Sequence, residues 1–180
     1  MEGDERLRLF CALLLPAETI DELARWQVAE LSAAARVRAV PRENLHVTLA
    51  FLGSTPAQAL PGIVAALRAA AGGAEAPLLA PLRYREGRSV GMIVLSDEGG
   101  RATRLAERLW PGLEAIDAYE RERRAWLPHI TVARFRERPR LSPRLPTLGS
   151  IRTSDAAVMI SRLRPSGAQY EVLQSVSLGG

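Results

Sequence analysis

Two short segments, far apart in the chain, carry its two histidines. Residues 46–49 read HVTL and residues 129–132 read HITV, so a threonine follows each histidine by two positions. Histidine is the side chain whose ordinary pKa places its charge change between about pH 5 and 8. One neutral imidazole can accept a proton while a second, protonated imidazole donates one. The repeated pattern therefore predicts acid–base catalysis by His46 and His129.

A phosphodiester is the substrate that suits this pair. In-line displacement at phosphorus requires a base for the attacking water and an acid for the departing oxygen, and it needs no cofactor. The hydroxyls of Thr48 and Thr131 can hydrogen-bond the non-bridging oxygens, where charge concentrates in the transition state. Arg134 is a candidate third donor to the phosphate. Regular alternation places Arg134 on the opposite strand face from His129, so its role requires a bulge or a strand end.

Other catalytic classes lack their signatures in this sequence. Neither histidine segment has a carboxylate or thiol at ligand spacing, and there is no third histidine, so we expect no metal. The stretch GRSVG at residues 87–91 has the spacing of a G-x-S-x-G nucleophile elbow, but it leads into a predicted strand and not into the helix that an elbow requires. The chain contains no Walker loop and no dinucleotide-binding fingerprint. A structural histidine in a strand is the plain alternative. The repetition of the motif in two apolar, alternating segments favours catalysis, and we expect no cofactor.

The composition indicates a folded domain with a surface suited to anions. A hydrophobic fraction of 47% is typical of globular proteins, and 180 residues suffice for one compact domain or two small lobes. The formal net charge is +4, and every basic residue is an arginine, whose forked guanidinium matches phosphate oxygens. An arginine-rich loop at residues 136–146 is expected to add a diffuse positive field for RNA. Its basic residues are Arg136, Arg138, Arg140 and Arg144.

Cysteine usage and hydropathy limit the cellular setting. The single cysteine, Cys11, excludes an intramolecular disulfide. No apolar run approaches the roughly 20 residues that a transmembrane helix needs. We expect a cytoplasmic protein without membrane association.

The histidines are expected on strands, because apolar and polar residues alternate around them. In a strand over residues 45–52, His46, Thr48 and Ala50 share one face. The opposite face is expected to carry the apolar residues Leu45, Val47, Leu49 and Phe51. In a strand over residues 129–135, His129 and Thr131 share a face.

Further elements surround these two strands. Apolar runs and turn residues predict strands over residues 8–15, 78–84, 89–95, 156–163 and 169–178. Apolar spacing predicts helices over residues 17–35, 56–71 and 101–119, the second capped by Ser54-Thr55-Pro56 and the third kinked or broken at Pro111. The first helix should face a sheet through Ile20, Leu23, Ala24, Val28 and Leu31. A helix and a histidine strand thus recur in each half, which predicts two similar lobes whose histidine strands face each other.

Three stretches of the sequence resemble a known superfamily. They read RLFCALLLP at residues 8–16, NLHVTLAFLG at residues 44–53 and PHITVARF at residues 128–135. Two H-x-T/S-x motifs with hydrophobic x positions define the two-histidine phosphoesterases, and the chain is most similar to their RNA 2′,3′-cyclic phosphodiesterase branch, also labelled 2′-5′ RNA ligases. Residues 167–173 are also similar, so the resemblance spans nearly the whole chain.

The resemblance implies a fold and a reaction. The fold is α+β and bilobal, with two pseudo-symmetric lobes of antiparallel sheet, flanked by helices, around a central groove. The reaction is metal-independent hydrolysis of RNA or nucleoside 2′,3′-cyclic phosphates to 2′-phosphates. His46 becomes the acid to the leaving 3′ oxygen and His129 the base for water, while Thr48, Thr131 and Arg134 hold the phosphate. We expect residues 1–180 to form one such domain, acting as a monomer on RNA ends or cyclic nucleotides.

One departure from the family concerns base recognition. Family members often carry an aromatic residue at the position of Cys11, where it can stack on a base. A cysteine cannot do so, which leaves stacking to Phe10, Trp126 or Tyr170. Two other functions fit the same residues. The first is 2′-5′ RNA ligation by the reverse displacement, and the second is binding of RNA ends without turnover.

Overall fold

The computed structural model describes residues 5–179, which contain nine β-strands and three α-helices. The helices are α1 (Ala17–Leu31), α2 (Leu60–Ala71) and α3 (Arg101–Glu114). The strands are β1 (Arg6–Leu14), β2 (Arg38–Ala39), β3 (His46–Pro56), β4 (Leu78–Glu86), β5 (Val90–Asp97), β6 (His129–Arg134), β7 (Ile151–Arg152), β8 (Asp155–Arg164) and β9 (Gly167–Ser177). None of these helices is long and apolar enough to cross a membrane.

The strands form one curled antiparallel sheet with the two histidine strands at its centre. Its order is β7-β4-β5-β6-β3-β1-β8-β9, and β2 pairs with the end of β6. Of the eight strands in this order, four lie on each side of the line between β6 and β3. The two central strands join through the pair Val47 and Ile130. This narrow junction divides the sheet into two similar halves and confirms the predicted α+β arrangement with a central groove.

The sequence predicted most elements, but several helix boundaries and the faces of some side chains were wrong. Helix α1 ends at Leu31, not at residue 35, and its buried side carries Leu23 and Trp26 rather than Val28, which is 70% exposed. Trp26 therefore belongs to the buried face of the helix, three residues after Leu23. Its ring packs on the core, and its Nε1 donates to the Arg144 carbonyl at 2.6 Å.

The sequence predicted that residues 54–56 cap the second helix. In the structure they extend β3 instead. They pair with β1 from Arg6 onwards, and α2 begins only at Leu60, after a 3₁₀ turn. The partner strand thus outweighs the local capping signal. Helix α3 runs through Pro111 without a break and ends at Glu114. The proline is tolerated because it lies in the last turn, where it removes a single backbone donor.

Bulges shift the alternation on both central strands. On β3, Thr48 faces Ala12 of β1 and Ala50 faces Cys11, so Leu49 is an extra residue. On β6, Thr131 faces Met92 of β5 and Ala133 faces Gly91, so Val132 is an extra residue. A bulge moves the following side chains to the other face. The bulged residue is therefore the fourth residue of each histidine motif.

The bulge on β3 corrects the predicted faces of Ala50 and Phe51. Ala50 is 2% exposed and packs in the core beside Leu49, whereas Phe51 is 51% exposed and lines the groove. Regular alternation places these two side chains the other way round. A one-residue bulge leaves no periodic trace in the sequence, which explains the error.

The arginine-rich loop has no regular structure, as predicted, but it is anchored. The carboxylate of Glu86, whose side chain is 3% exposed, accepts hydrogen bonds from the backbone of Arg140 and Leu141 at 2.9 and 2.7 Å. The Arg138 Nε donates to the same carboxylate at 3.3 Å. Part of the predicted solvated charge is therefore used to hold the loop on the sheet.

Candidate active site

A groove of about 550 Å³ lies over the central strands. Six residues singled out from the sequence line it, namely Phe10, His46, Thr48, Thr131, Arg134 and Tyr170. The groove also receives side chains to which sequence reasoning gave no role, among them Arg8, Arg38, Asn44 and Phe51. His129 and Trp126 are not among its lining residues, and both are half-buried at its margin.

The two motifs present their functional side chains on the same face of the sheet. Val47 and Ile130 are paired and fully buried, so their neighbours in sequence point to the opposite, groove side. In antiparallel pairing this brings His46 beside Thr131 and Thr48 beside His129. The histidines are thus diagonal neighbours, a relation that separates residues by about 7–8 Å. That spacing leaves room for a phosphate between two imidazoles.

Backbone carbonyls fix both rings in the same way. The Nδ1 of His46 donates to the Asn44 carbonyl at 2.8 Å, and the Nδ1 of His129 donates to the Leu127 carbonyl at 2.7 Å. In each case the acceptor is two residues before the histidine. A proton held on Nδ1 leaves Nε2 as the atom that exchanges protons with a substrate. Both Nε2 atoms are therefore the reactive positions.

Aromatic packing makes the His46 environment distinctive. Its ring centroid is 4.9 Å from Phe10 and 5.5 Å from Tyr170, and its Nε2 accepts a hydrogen bond from the Thr48 hydroxyl at 2.9 Å. Burial lowers the pKa of His46 from its ordinary value of 6.5, and the positive charges of His129 and Arg134 lower it further against the opposing effect of the Asn44 carbonyl. In the free protein His46 is held towards its neutral form.

Three arginines make the groove an anion site. Arg8, Arg38 and Arg134 line it, and no aspartate or glutamate is found among its lining residues in the described chain. None of the three has an ion-pair partner within residues 5–179. Arg38 on β2 stands directly opposite Arg134 on β6. Like charges in this position repel each other, and a bound anion relieves the repulsion.

Buried side-chain donors hold both bulges. The Trp110 Nε1 donates to the Leu49 carbonyl at 3.0 Å, and the Gln27 Nε2 donates to the Val132 carbonyl at 2.8 Å. Each acceptor is the bulged fourth residue of a histidine motif. The Val132 carbonyl also accepts the Val40 backbone N–H at 3.0 Å, and Gln27 donates to the Val40 carbonyl as well, at 3.0 Å. The side-chain donors thus hold each strand at the point where its alternation changes.

The bulge on β6 supplies the condition that Arg134 required. With Val132 as the extra residue, Arg134 returns to the groove side and lines the cavity. Its positive charge is one of the influences that lower the pKa of His46. Arg134 therefore joins the two threonines at the groove floor.

Asn44 and Trp126 support the His46 side of the groove. The Asn44 side chain donates to the Ala168 carbonyl at 2.7 Å and accepts the Tyr170 backbone N–H at 3.2 Å, while its own carbonyl orients His46. The Trp126 Nε1 donates to the Thr48 carbonyl at 3.1 Å. Trp126, expected as a stacking residue, thus contacts the back of the motif strand. Phe10, also expected to stack, is 2% exposed and packs against His46.

Comparison with known proteins agrees with this geometry. The family model for LigT-like phosphoesterases matches residues 13–79. An RNA 2′,3′-cyclic phosphodiesterase of Thermus thermophilus is 34% identical, in an alignment that covers 97% of this chain and 91% of the relative. One of the same name from Methanothermobacter thermautotrophicus is 29% identical, with coverage of 92% and 95%.

Solved structures agree as well. A Thermus thermophilus crystal structure superposes with a TM-score of 0.81 at 33% identity, covering 97% of this chain and 99% of that one. Ligand-free Escherichia coli LigT superposes with a TM-score of 0.80 at 22% identity, covering 98% and 100%. With a relative above 30% identity matched over nearly its whole length, the chain belongs to the LigT-like phosphoesterases of the two-histidine superfamily.

Proposed function

We propose that this protein hydrolyses the 2′,3′-cyclic phosphate of RNA ends or nucleotides to a 2′-phosphate, with His46 and His129 as its acid–base pair. One observation carries the proposal. Two H-x-T faces stand diagonally across one groove that also holds unpaired arginines and, in the described chain, no lining carboxylate. The curated relatives bear the name of this activity.

The proposed reaction is a single in-line displacement. Water attacks phosphorus opposite the 3′ oxygen, its proton passes to the His129 Nε2, and the bond from phosphorus to the 3′ oxygen breaks. The His46 Nε2 delivers a proton to that oxygen. The 2′ ester bond is retained, so the product carries a 2′-phosphate and a 3′-hydroxyl. The protein regains its starting state when a proton passes from His129 to His46 through solvent.

The threonines and Arg134 stabilise the charge that develops on phosphorus oxygens. Thr48 and Thr131 flank the space between the imidazoles, and Arg134 adds a charge-assisted donor. In the free protein the Thr48 hydroxyl donates to His46. We propose that it turns to the phosphate when substrate binds, which frees the His46 Nε2 to carry the transferred proton.

The assignment of His46 as the acid follows the family resemblance, and the environment of this residue supports it. A protonated imidazole whose pKa is lowered is a stronger proton donor. The phosphate places negative charge next to His129 and Arg134, two of the groups that lower the pKa of His46, and so restores its protonation on binding. Substrate thus charges the acid at the moment when it is needed.

The proposal extends to the whole chain. Because both motifs lie on adjacent strands of one sheet, we propose that residues 1–180 form a single two-lobed domain that acts as a monomer. The buried thiol of Cys11, whose pKa burial raises to about 12, fits the cytoplasm.

The test is hydrolysis of 2′,3′-cyclic AMP in the presence of EDTA. We expect a 2′-phosphate product, and a loss of about 10²–10⁴-fold in kcat/KM for both His46→Ala and His129→Ala. Gln174→Ala, on β9 and outside the groove, serves as the control and should keep full activity. No product from the unmodified protein, or undiminished activity in both histidine variants, contradicts the proposal. RNA affinity without turnover would identify a binding module instead.

A further inference from the structure

Phe51 occupies the position on β3 that Arg134 occupies on β6. Each lies five residues after the histidine of its motif, and in each strand the fourth residue of the motif is bulged. Without the bulge, a residue five positions on points away from the histidine. With it, both side chains line the groove. The two halves thus use one backbone device to place an arginine on one side and an aromatic ring on the other.

The Phe51 ring is open to a ligand. It is 51% exposed, whereas Phe10 is 2% exposed and is covered by His46 and Tyr170. Gly53, at φ +68°, lies next to this ring, and a side chain at that position would come within 3.6 Å of it. A large apolar side chain left exposed inside an anion-binding groove calls for a partner with both a flat apolar face and a charge.

Arg8 supplies the charge next to this ring. Its guanidinium carbon is 5.1 Å from the centroid of Phe51, and it lines the same groove without an ion-pair partner in the described part of the chain. The guanidinium lies over the ring, so the pair offers a flat surface for a base and a cation for its phosphate, the two features of a nucleotide.

The distance to the motif indicates which nucleotide this is. Because Leu49 is bulged, Phe51 lies two ladder positions from Thr48 along β1, which spans roughly 7 Å. A ring at that distance does not contact the cyclic phosphate, which the motif residues contact in the proposed function, and Tyr170 packs beside His46, where the end nucleotide is proposed to react. We propose that Phe51 and Arg8 form a subsite for the nucleotide that precedes the cyclic end, so that the preferred substrate is an oligonucleotide terminus rather than a free cyclic nucleotide. This inference rests on the proposed function.

The test compares three substrates that end in the same 2′,3′-cyclic phosphate. The substrates are 2′,3′-cyclic AMP, the dinucleotide ApA with a 2′,3′-cyclic phosphate, and the same dinucleotide with an abasic first unit. In the unmodified protein, kcat/KM for the dinucleotide should exceed that for the mononucleotide by at least about fivefold, with the abasic form in between. Dissociation constants of the 2′-phosphorylated products provide the same comparison without turnover.

Variants then assign the preference to its residues. Phe51→Ala and Phe51→Leu should abolish the advantage of ApA over the abasic form, and Phe51→Trp should keep it, because stacking requires a π face. Leu82→Ala removes a side chain that is 53% exposed outside the groove and should leave the ratio unchanged. Arg8→Gln should reduce the slope of log affinity against log salt concentration, measured for the dinucleotide, by about 0.7. Arg123→Gln is the control and should leave that slope unchanged.

The outcomes separate the two proposals. No turnover of any cyclic substrate overturns the proposed function, while the product affinities still test the subsite. Equal kcat/KM and equal product affinity for the mononucleotide and the dinucleotide overturn the subsite and leave the function intact. An equal loss for all three substrates in Phe51→Ala also overturns it, because that result assigns Phe51 to the end nucleotide.

Discussion

The two central strands share a frame but differ in what surrounds it. In both, a carbonyl two residues before the histidine holds Nδ1, and a buried side-chain N–H holds the carbonyl of the bulged fourth residue. These backbone contacts set where three groups point: the histidine Nε2, the threonine hydroxyl, and the side chain five residues after the histidine. The frame is the same for both strands, although the sequences that supply the donors, tryptophan on one side and glutamine on the other, are unrelated.

The side chains around the two histidines differ, which supports the different roles proposed for them. Phe10 and Tyr170 enclose the His46 ring, and Thr48 bonds its Nε2. For His129, the bond from Nδ1 to the Leu127 carbonyl is the ring hydrogen bond found within residues 5–179. A ring enclosed by apolar groups suits the proposed role of His46, an acid that must lose its proton readily. The comparison teaches that backbone repetition sets geometry and that unrepeated neighbours set chemistry.

The largest expected effect distinguishes the roles directly. A phosphodiester with a p-nitrophenol leaving group needs no proton at its departing oxygen. His46→Ala should therefore lose about 10²–10⁴-fold on a 2′,3′-cyclic phosphate but retain most activity on the p-nitrophenyl ester. His129→Ala should lose activity on both, because each reaction needs the attacking water deprotonated. The measurement is kcat/KM for both substrates in the two variants and the unmodified protein.

The opposite pattern would reverse the assignment. If His129→Ala keeps the p-nitrophenyl activity and His46→Ala does not, then His46 is the base. Thr153→Val, which removes a buried hydroxyl away from the groove, shows how much activity is lost to reduced stability alone.

A medium effect tests the two bulge donors against each other. Gln27→Leu removes the donor to the Val132 and Val40 carbonyls and should loosen the β6 bulge, which places Arg134 in the groove. It should weaken catalysis by about tenfold for mononucleotide and dinucleotide alike. Trp110→Phe removes the donor to Leu49 on β3 and should act more on the dinucleotide, through Phe51. Each loss of a buried hydrogen bond costs about 1–3 kcal/mol of stability.

The substrate ratio separates positioning from general destabilisation. Unfolding midpoints in urea give the stability loss of each variant, and Thr153→Val again supplies a variant with a lost buried bond elsewhere. If Gln27→Leu and Trp110→Phe change the dinucleotide to mononucleotide ratio equally, the two bulges do not have separate tasks.

Residue type and spacing were sufficient to predict what the frame repeats. The motif strands and the shared face of each histidine and threonine followed from alternation, because Val47 and Ile130 must be buried. The α+β class with a central groove came from the family resemblance. The bulges did not follow, since inserting one residue into a pairing leaves no periodic signal. Only Arg134 offered a hint, as an arginine at the wrong parity after a catalytic motif. Phe51 has the same parity after His46, and comparing the two strands at the position five residues after each histidine is the signal that finds it.

The contacts that join distant segments were also beyond the sequence. Gln27 lies on α1 and Trp110 on α3, and nothing in either helix indicates a carbonyl of a central strand as its partner. Arg8 was read as the start of an apolar strand, and its position beside Phe51 depends on pairing between β1 and β3. Such contacts are set by register, which the hydrophobic pattern restricts to a face and not to a partner.

The smallest expected effect is a pH dependence of stability that belongs to His46. Its pKa is lower in the folded chain than the value of about 6.5 in the unfolded chain, chiefly because of burial. The unfolded chain therefore binds the extra proton between these two values. The stabilisation is complete above about pH 6.5 and is lost as the pH falls through the folded pKa. The slope contributed by one proton is at most about 1.4 kcal/mol per pH unit.

Urea unfolding at pH 7.5 and at pH 5.5 measures this loss, and two variants assign it. His46→Gln should remove the contribution altogether. Arg134→Gln removes one of the positive charges that lower the pKa of His46, so it should raise that pKa in an NMR titration and shrink the loss between the two pH values. An unchanged slope in His46→Gln would place the titrating group elsewhere. A reduced slope in Arg134→Gln would link Arg134, the proposed phosphate ligand on β6, to the protonation of His46, the proposed acid on β3. That link is the coupling by which a bound substrate would charge His46.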